Sequence, residues 1–439
     1  MRVLFASLGF SALAFAAPAP TSKDVTFYKD VLPVLENNCQ GCHRPGEPGP
    51  MSFLSYESTR PWAKAIKQAV ASKTMPPWFA DPAHGKFSND RSLSAADIKT
   101  LVSWVDDGAK AGDPKDAPKP VAFTEGWVIG QPDKVFEIPT PVVVPTSGTI
   151  DYQYVIMPSG LTEDKYVQFA EARPTDREHC HHIIAFIREP GNPWFKDMPI
   201  GVAFVPSKDG KKDAKRGEDG GGQGEFLAGY APGMVAPMLK PGQAKLIKAG
   251  SDIVFQLHYT ADGKPGSDRS RVGVVFSKVK PTERIFTLAV ANPKFAIPPG
   301  DGNYQVDAKL VLQDEATVTM LLPHMHLRGK DFDYRITYPD GTKETILSVP
   351  HYSFSWQLSY FLAEPKKLPA GTIIECTAHF DNSPNNPANP DPKKEIHFGE
   401  QSWDEMMIGF FDVAIPFDKD PMDLMRPKKA KTNTGAAIE

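Results

Sequence analysis

Hydrophobic positions along this chain change period near residue 125. Before that point, RPWAKAIKQAVAS (60–72) and SAADIKTLVSWVDDGA (94–109) carry apolar residues at helical spacing, the second opened by Ser94 as an N-cap. After it the apolar runs are short, alternate with polar residues, and end at Pro or Gly. TIDYQYVIM (149–157), YVQFAEARP (166–174), HHIIAFIRE (181–189) and the strand–turn–strand stretch 251–276 form one group. RIFTLAVAN (284–292), 309–326, DYRITYPDG (333–341), GTIIECTAHF (371–380) and MMIGFFDVAI (406–415) form another, with YPDG as a hairpin turn. The pattern predicts a small all-α unit at 25–112, a Pro/Lys/Asp-rich linker at 113–134, and antiparallel β-sandwiches at 135–284 and 285–418. The charged, Gly-rich stretch 208–225 reads as an exposed mobile loop, and the polar, basic tail 419–439 as disordered.

Composition sharpens this picture in a few respects. The 439 residues exceed one core, and 43 prolines, about twice the usual share, favour turns and strand edges over long helices. A net charge of −4 gives no reason to expect nucleic acid or an anionic membrane as a partner. Arg2 followed by VLFASLGFSALAFA reads as a signal peptide, 1–16, cut after Ala16. No later run reaches the length of a transmembrane segment. The expected location is therefore periplasmic or secreted. Four cysteines do not make a disulfide scaffold in such a compartment, and whether Cys180 and Cys376 pair is open.

Two kinds of chemistry stand out. Cys39-Gln-Gly-Cys42-His43 is the CxxCH of c-type haem attachment: two thiols one turn apart for the haem vinyls, then a histidine for the iron. A sixth ligand is expected downstream, at Met75 before Pro76-Pro77, with Met51 as rival and His84 more distant. The second is histidine clustering, for the 11 histidines gather into few places. His324 and His326 flank Met325, and residues two apart on a strand share a face. HCHH (179–182) and His258 in QLHY supply further imidazoles, and Met406 offers a thioether. Imidazole plus thioether suits copper cycling through Cu(I).

The helical unit with its CxxCH resembles a small class I-like cytochrome c domain. HCHH, QLHY, HMH and DEM (404–406), in that order across tandem β units, resemble the copper type II, ascorbate-dependent monooxygenases, which include the peptidylglycine and dopamine hydroxylases. That resemblance implies jelly-roll-like β-sandwiches and two copper ions. His181, His182 and His258 would hold the first, and His324, His326 and Met406 the second. It implies that the methionine-bearing site activates O2 and takes hydrogen from a small organic substrate, while the histidine-only site supplies an electron. The attached covalent c-type haem adds an electron inlet from a periplasmic donor, an ascorbate-like reductant or a redox protein. Where peptide-hydroxylating members hold a substrate carboxylate with arginine, asparagine and tyrosine, this chain has Leu322, Ile408 and Phe410. Met407 stands where the family often has a cysteine. Cys180 is a conceivable copper contact; His179 reads as a polar neighbour, and His379 and His397 as supporting residues. The alternative expectation is a non-catalytic haem/copper electron-transfer or copper-handling protein.

Overall fold

The computed structural model describes residues 24–123, 126–206 and 224–427. The expected signal peptide at 1–16, nearly all of the expected loop at 208–225, and the end of the tail lie outside the described residues. The described chain is mostly β-sheet with few, short helices. No helix among the described residues is long and apolar enough to cross a membrane.

The helices Leu32–Asn38, Tyr56–Thr59, Ala63–Ala71 and Ala95–Asp106 all lie in the first quarter of the chain. Helices this short are marginal alone, so their apolar faces must be covered. They close around Phe27, Leu35, Ile66, Leu101 and Trp104. The expected cap forms: Ser94 Oγ accepts from the Asp97 amide at 3.1 Å.

One eight-stranded sheet runs through the β region. Its order is Lys134–Glu137, Arg271–Phe276, Lys165–Arg173, Gln243–Ile247, Glu283–Ala291, Ile408–Pro416, Ala316–His324 and Tyr360–Leu368. A four-stranded sheet (Gln153–Pro158, Asp252–Tyr259, Cys180–Arg188, Glu225–Tyr230) faces the first half across a core containing Phe136, Ile183, Phe255 and Val272. A second (Tyr304–Val311, Ile373–Phe380, Gly329–Thr337, Lys343–Val349) faces the other half across Val318, Phe332, Tyr334 and Phe411. Sheet-on-sheet packing of this kind is compatible with β-sandwiches. The YPDG hairpin forms between Gly329–Thr337 and Lys343–Val349, with Gly341 at φ +86° where a side chain would strain the turn.

Three expectations need correction. The expected division at 284/285 lies inside a sheet: Glu283 and Arg284 pair in parallel with Gln243 and Ala244, which welds the two halves. The expected linker is held, because Trp127 lies under the guanidiniums of Arg173 and Arg271, and Glu171 accepts from the Val128 amide at 2.7 Å. The tail is ordered at its start: Leu424 is fully buried in the second core, and its carbonyl accepts from Gln313 at 2.8 Å. One apolar side chain with a vacant place in a core outweighs the polarity of its neighbours.

The helical unit is also strapped to the β region by residues 78–90. Phe87 pairs with Leu362, Ser88 donates to Phe361 O at 2.9 Å, and Ala363 donates to Lys86 O at 2.9 Å. Asn89 donates to Ser359 O at 2.8 Å and accepts from the Phe361 amide at 3.0 Å. Trp78 and Phe87 rings lie 4.9 and 5.4 Å from Tyr360. The strap covers Tyr360–Leu368, an edge strand whose backbone would otherwise be open to unwanted pairing.

Candidate functional site

Adjacent residues on a strand point to opposite faces, so His181 and His182 could not share a site on regular β-structure. A bulge solves this. Cys180 pairs with Tyr259 and His182 with His258, leaving His181 as the extra residue. The rings of His181, His182 and His258 then lie within 5.5 Å of one another, centroid to centroid. Their candidate ligand nitrogens lie within 4.8 Å of one another. The Nδ1 atoms of His181 and His182 face each other at 3.3 Å, and His258 Nδ1 is buried without a partner. Tyr152 walls the cluster, its ring 5.1 Å from His182 and 4.4 Å from His258.

His324 is the last residue of its strand and His326 lies just beyond it, so the strand-face argument covers only half the pair. Their rings nonetheless meet at 5.3 Å, perpendicular. The turn is held from behind by Glu405, whose carboxylate accepts from the His326 amide at 2.8 Å and the Arg328 amide at 2.6 Å. Arg328 is itself buried and bonded to Asn382 Oδ1 and Trp403 O. His326 is fully buried, and neither of its ring nitrogens has a hydrogen-bond partner, although the backbone of Gln401 and Asp404 lies nearby. His324–Ile408 is the last pair of that ladder, and His326 and Met406 each lie two residues beyond it. Met407 is buried in the second core.

The two histidine sets adjoin. Phe354 stacks on His181 at 4.7 Å and meets His326 edge-on at 5.9 Å, so one ring spans the space between them. Ser402 Oγ lies 3.4 Å from His258 Nε2, bringing the segment before Met406 against the first set. Burial pushes His181 and His324 down to about 4 and His258 to about 3, and the nearby His324 adds to the shift at His181. His182 and His326 are held well below the ordinary value by burial, then by neighbouring imidazoles. All five are therefore neutral near pH 7, the form that binds metal.

Sequence reasoning did not find the loop that serves both sets. Tyr352 Oη donates to Met325 O at 2.7 Å, Phe354 bridges the rings, and Gln357 Oε1 lies 2.8 Å from His324 Nδ1. A carbonyl oxygen there requires a proton on Nδ1, which leaves Nε2 as the free donor atom of His324. Alternating aromatics in HYSFSWQLS were the one available signal.

Other expected residues fall outside the clusters. His179 is nine-tenths buried or more between Asp176 (2.8 Å) and Asp262 (2.9 Å), whose hydrogen bonds raise its pKa, so it clamps these two carboxylates rather than joining the cluster. Cys180 and Cys376 are free thiols in different cores, so they do not pair, and burial raises both pKa values. His379 bonds to Asp331 at 2.6 Å, and His397 is exposed beside Glu395.

In the CxxCH motif, the Cys42 and His43 amides donate to Cys39 O at 3.1 and 2.9 Å, which makes one turn. His43 stacks on Phe53 at 4.4 Å, and its Nδ1 is buried without a partner. A Cβ on Gly49 would stand 2.6 Å from that nitrogen, so glycine leaves the ring its room. Cys42, Arg44, Glu47 and Arg91 line a cavity of about 820 Å³ shared with Arg177 and Tyr230 of the β region. Glu47 pairs with Arg44 at 3.1 Å and with Arg177, tying this turn to the segment just before HCHH. Met51 packs against the helical core, whereas Met75 is half-buried in the turn that precedes the strap.

No protein-family model matches the chain, and no curated protein matches it. Among solved structures, the VP2 subviral particle of infectious bursal disease virus aligns over 67% of this chain and 74% of its own, at 9% identity and TM-score 0.20. A putative secreted protein from Eubacterium rectale aligns over 61% and 69%, at 10% identity and TM-score 0.16. Scores this low carry no argument about fold or function.

Proposed function

We propose that the protein is an exported copper-dependent monooxygenase of the peptidylglycine and dopamine hydroxylase type, fed with electrons by a covalent haem on its helical unit. The observation that carries this reading is the paired histidine sets: neutral imidazoles, with buried nitrogens lacking partners, on either side of one aromatic ring. Buried polar atoms in native proteins are normally satisfied, and a bound cation is a partner these nitrogens would accept.

His181, His182 and His258 would hold one copper, and His324, His326 and Met406 the other. When bound, copper supplies the one-electron chemistry that reduces O2 and removes hydrogen from a substrate carbon, and haem supplies electrons. In total one oxygen atom enters the substrate and the other leaves as water, with two electrons and two protons from an external donor. The protein's own groups prepare for this. The bulge at His181 turns two adjacent imidazoles to one side, Gln357 fixes the His324 tautomer, and Glu405 holds the His326 turn. Tyr152 walls the first set, and Phe354 stands between the two. On the helical unit, Cys39 and Cys42 would carry the haem thioethers and His43 the iron. The cavity beside Cys42 would give that group room, with Cys39 and His43 outside its lining. Two attachments, Glu47–Arg177 and the 78–90 strap, tie that unit to both halves of the β region.

The test is the copper-to-haem ratio of protein matured in a periplasm and reconstituted with copper. A ratio near two is expected, with His181→Ala and Met406→Ala each losing occupancy at one site. A ratio near one would remove one centre and favour an electron-transfer or copper-handling protein.

A further inference from the structure

We infer that the substrate is a neutral molecule with an apolar, ring-sized body and one hydrogen-bond acceptor, which the Gln357 side-chain N–H receives beside His324. This rests on the copper reading of the site and specifies what that site takes.

The ladder fixes the wall. Leu322 pairs with Phe410 and His324 with Ile408, so these four side chains share one face of the eight-stranded sheet. It is the face away from the second core, since Leu321 and Phe411, one residue along, are core residues. The Phe410 ring lies 6.0 Å from His324, and Phe354 closes the opposite side against His181 and His326. Around His324 the surface is thus aliphatic and aromatic.

The charged groups nearest this wall are already engaged. Glu405 accepts from two backbone amides, and Arg328 is spent on Asn382 and Trp403. Further along the same face, Asp412 accepts from Thr287 at 2.5 Å. These groups already have protein partners, and burying an unpaired charge against such a wall is costly.

Gln357 supplies a polar group beside His324. Gln357 is only 7% exposed; its Oε1 is committed to His324 Nδ1, and its Nε2 has no partner. A buried amide N–H without an acceptor favours a ligand that brings one, and discriminates against an isostere that does not. A carbonyl or ether oxygen fits; a carboxylate or ammonium does not.

The experiment is isothermal titration calorimetry on the full-length, haem-matured protein, before and after copper reconstitution, with acetophenone, ethylbenzene, benzoate and phenethylamine. Acetophenone is expected to bind at least about ten-fold more tightly than ethylbenzene, with benzoate and phenethylamine weaker than both. Gln357→Glu keeps an oxygen for His324 Nδ1 and loses the donor, so the acetophenone preference should vanish while ethylbenzene affinity persists. Equal binding of acetophenone and ethylbenzene, tighter binding of either ion, or no binding by any probe overturns the inference. Because the first titration needs no copper, its failure is separable from failure of the copper reading, which the metal ratio decides.

Discussion

Lowering the pH from 7 to 5 should destabilise the metal-free protein at its histidine sets, and copper should prevent it. A histidine whose folded pKa lies below the unfolded value of about 6.5 binds fewer protons folded than unfolded between the two. Its stability contribution is therefore lost as pH falls from 6.5 toward the folded value. With His181 and His324 near 4 and His258 near 3, each costs about 2 kcal/mol between pH 7 and 5. Together they cost on the order of 5 kcal/mol, comparable to the whole stability of many domains. Most carboxylates contribute little above pH 5. Burial raises Glu405 to about 8, however, which adds stability as pH falls and offsets part of the loss, so the difference between wild type and His258→Gln isolates the imidazole share. The assay is urea denaturation at pH 7, 6 and 5 with and without copper, paired with hydrogen exchange on the amides of Cys180–Arg188 and Asp252–Tyr259. Copper on the ring nitrogens would block their protonation, so the loaded protein should hold its stability until the metal leaves. His258→Gln should reduce the apo loss by one histidine's share. A flat apo profile, or an identical slope with and without copper, would refute the picture of buried neutral imidazoles.

His179 carries the opposite sign. Its raised pKa stabilises the fold below about pH 6.5 and is lost as pH rises through the folded value, so His179→Gln should flatten the alkaline side of the stability profile. Gln357→Ala should weaken copper at one site by about 10- to 100-fold and spare the other, read by competition with a chelator. Asn89→Ala removes both side-chain bonds of the strap and should cost about 1–3 kcal/mol, read as faster proteolysis between residues 78 and 90.

The clustering histidines were legible because they sit in short motifs, and strands because apolar residues alternate. The bulge was not: HCHH names the imidazoles, but only pairing against Tyr259 and His258 turns His181 toward its neighbour. Nor was the 78–90 strap, whose partners lie some 270 residues away in sequence; Asn89 and Ser359 carry no local pattern that announces their bond. The same holds for Gln357, an amide in an irregular loop, and for the parallel ladder that joins the halves through two residue pairs. Local periodicity reports which face an element buries, and long-range pairing is decided by what else needs that face. Leu424 illustrates this within a polar tail, where a single side chain finds a core.

The most direct test of the two-centre account is X-ray absorption at the copper edge of the fully reduced protein. The account predicts histidine nitrogen at both coppers and a single sulfur scatterer at half of them, abolished by Met406→Ala and retained in His181→Ala. Absence of sulfur in the wild type, or sulfur that survives Met406→Ala, would contradict the assignment of Met406 and His324–His326 to one centre.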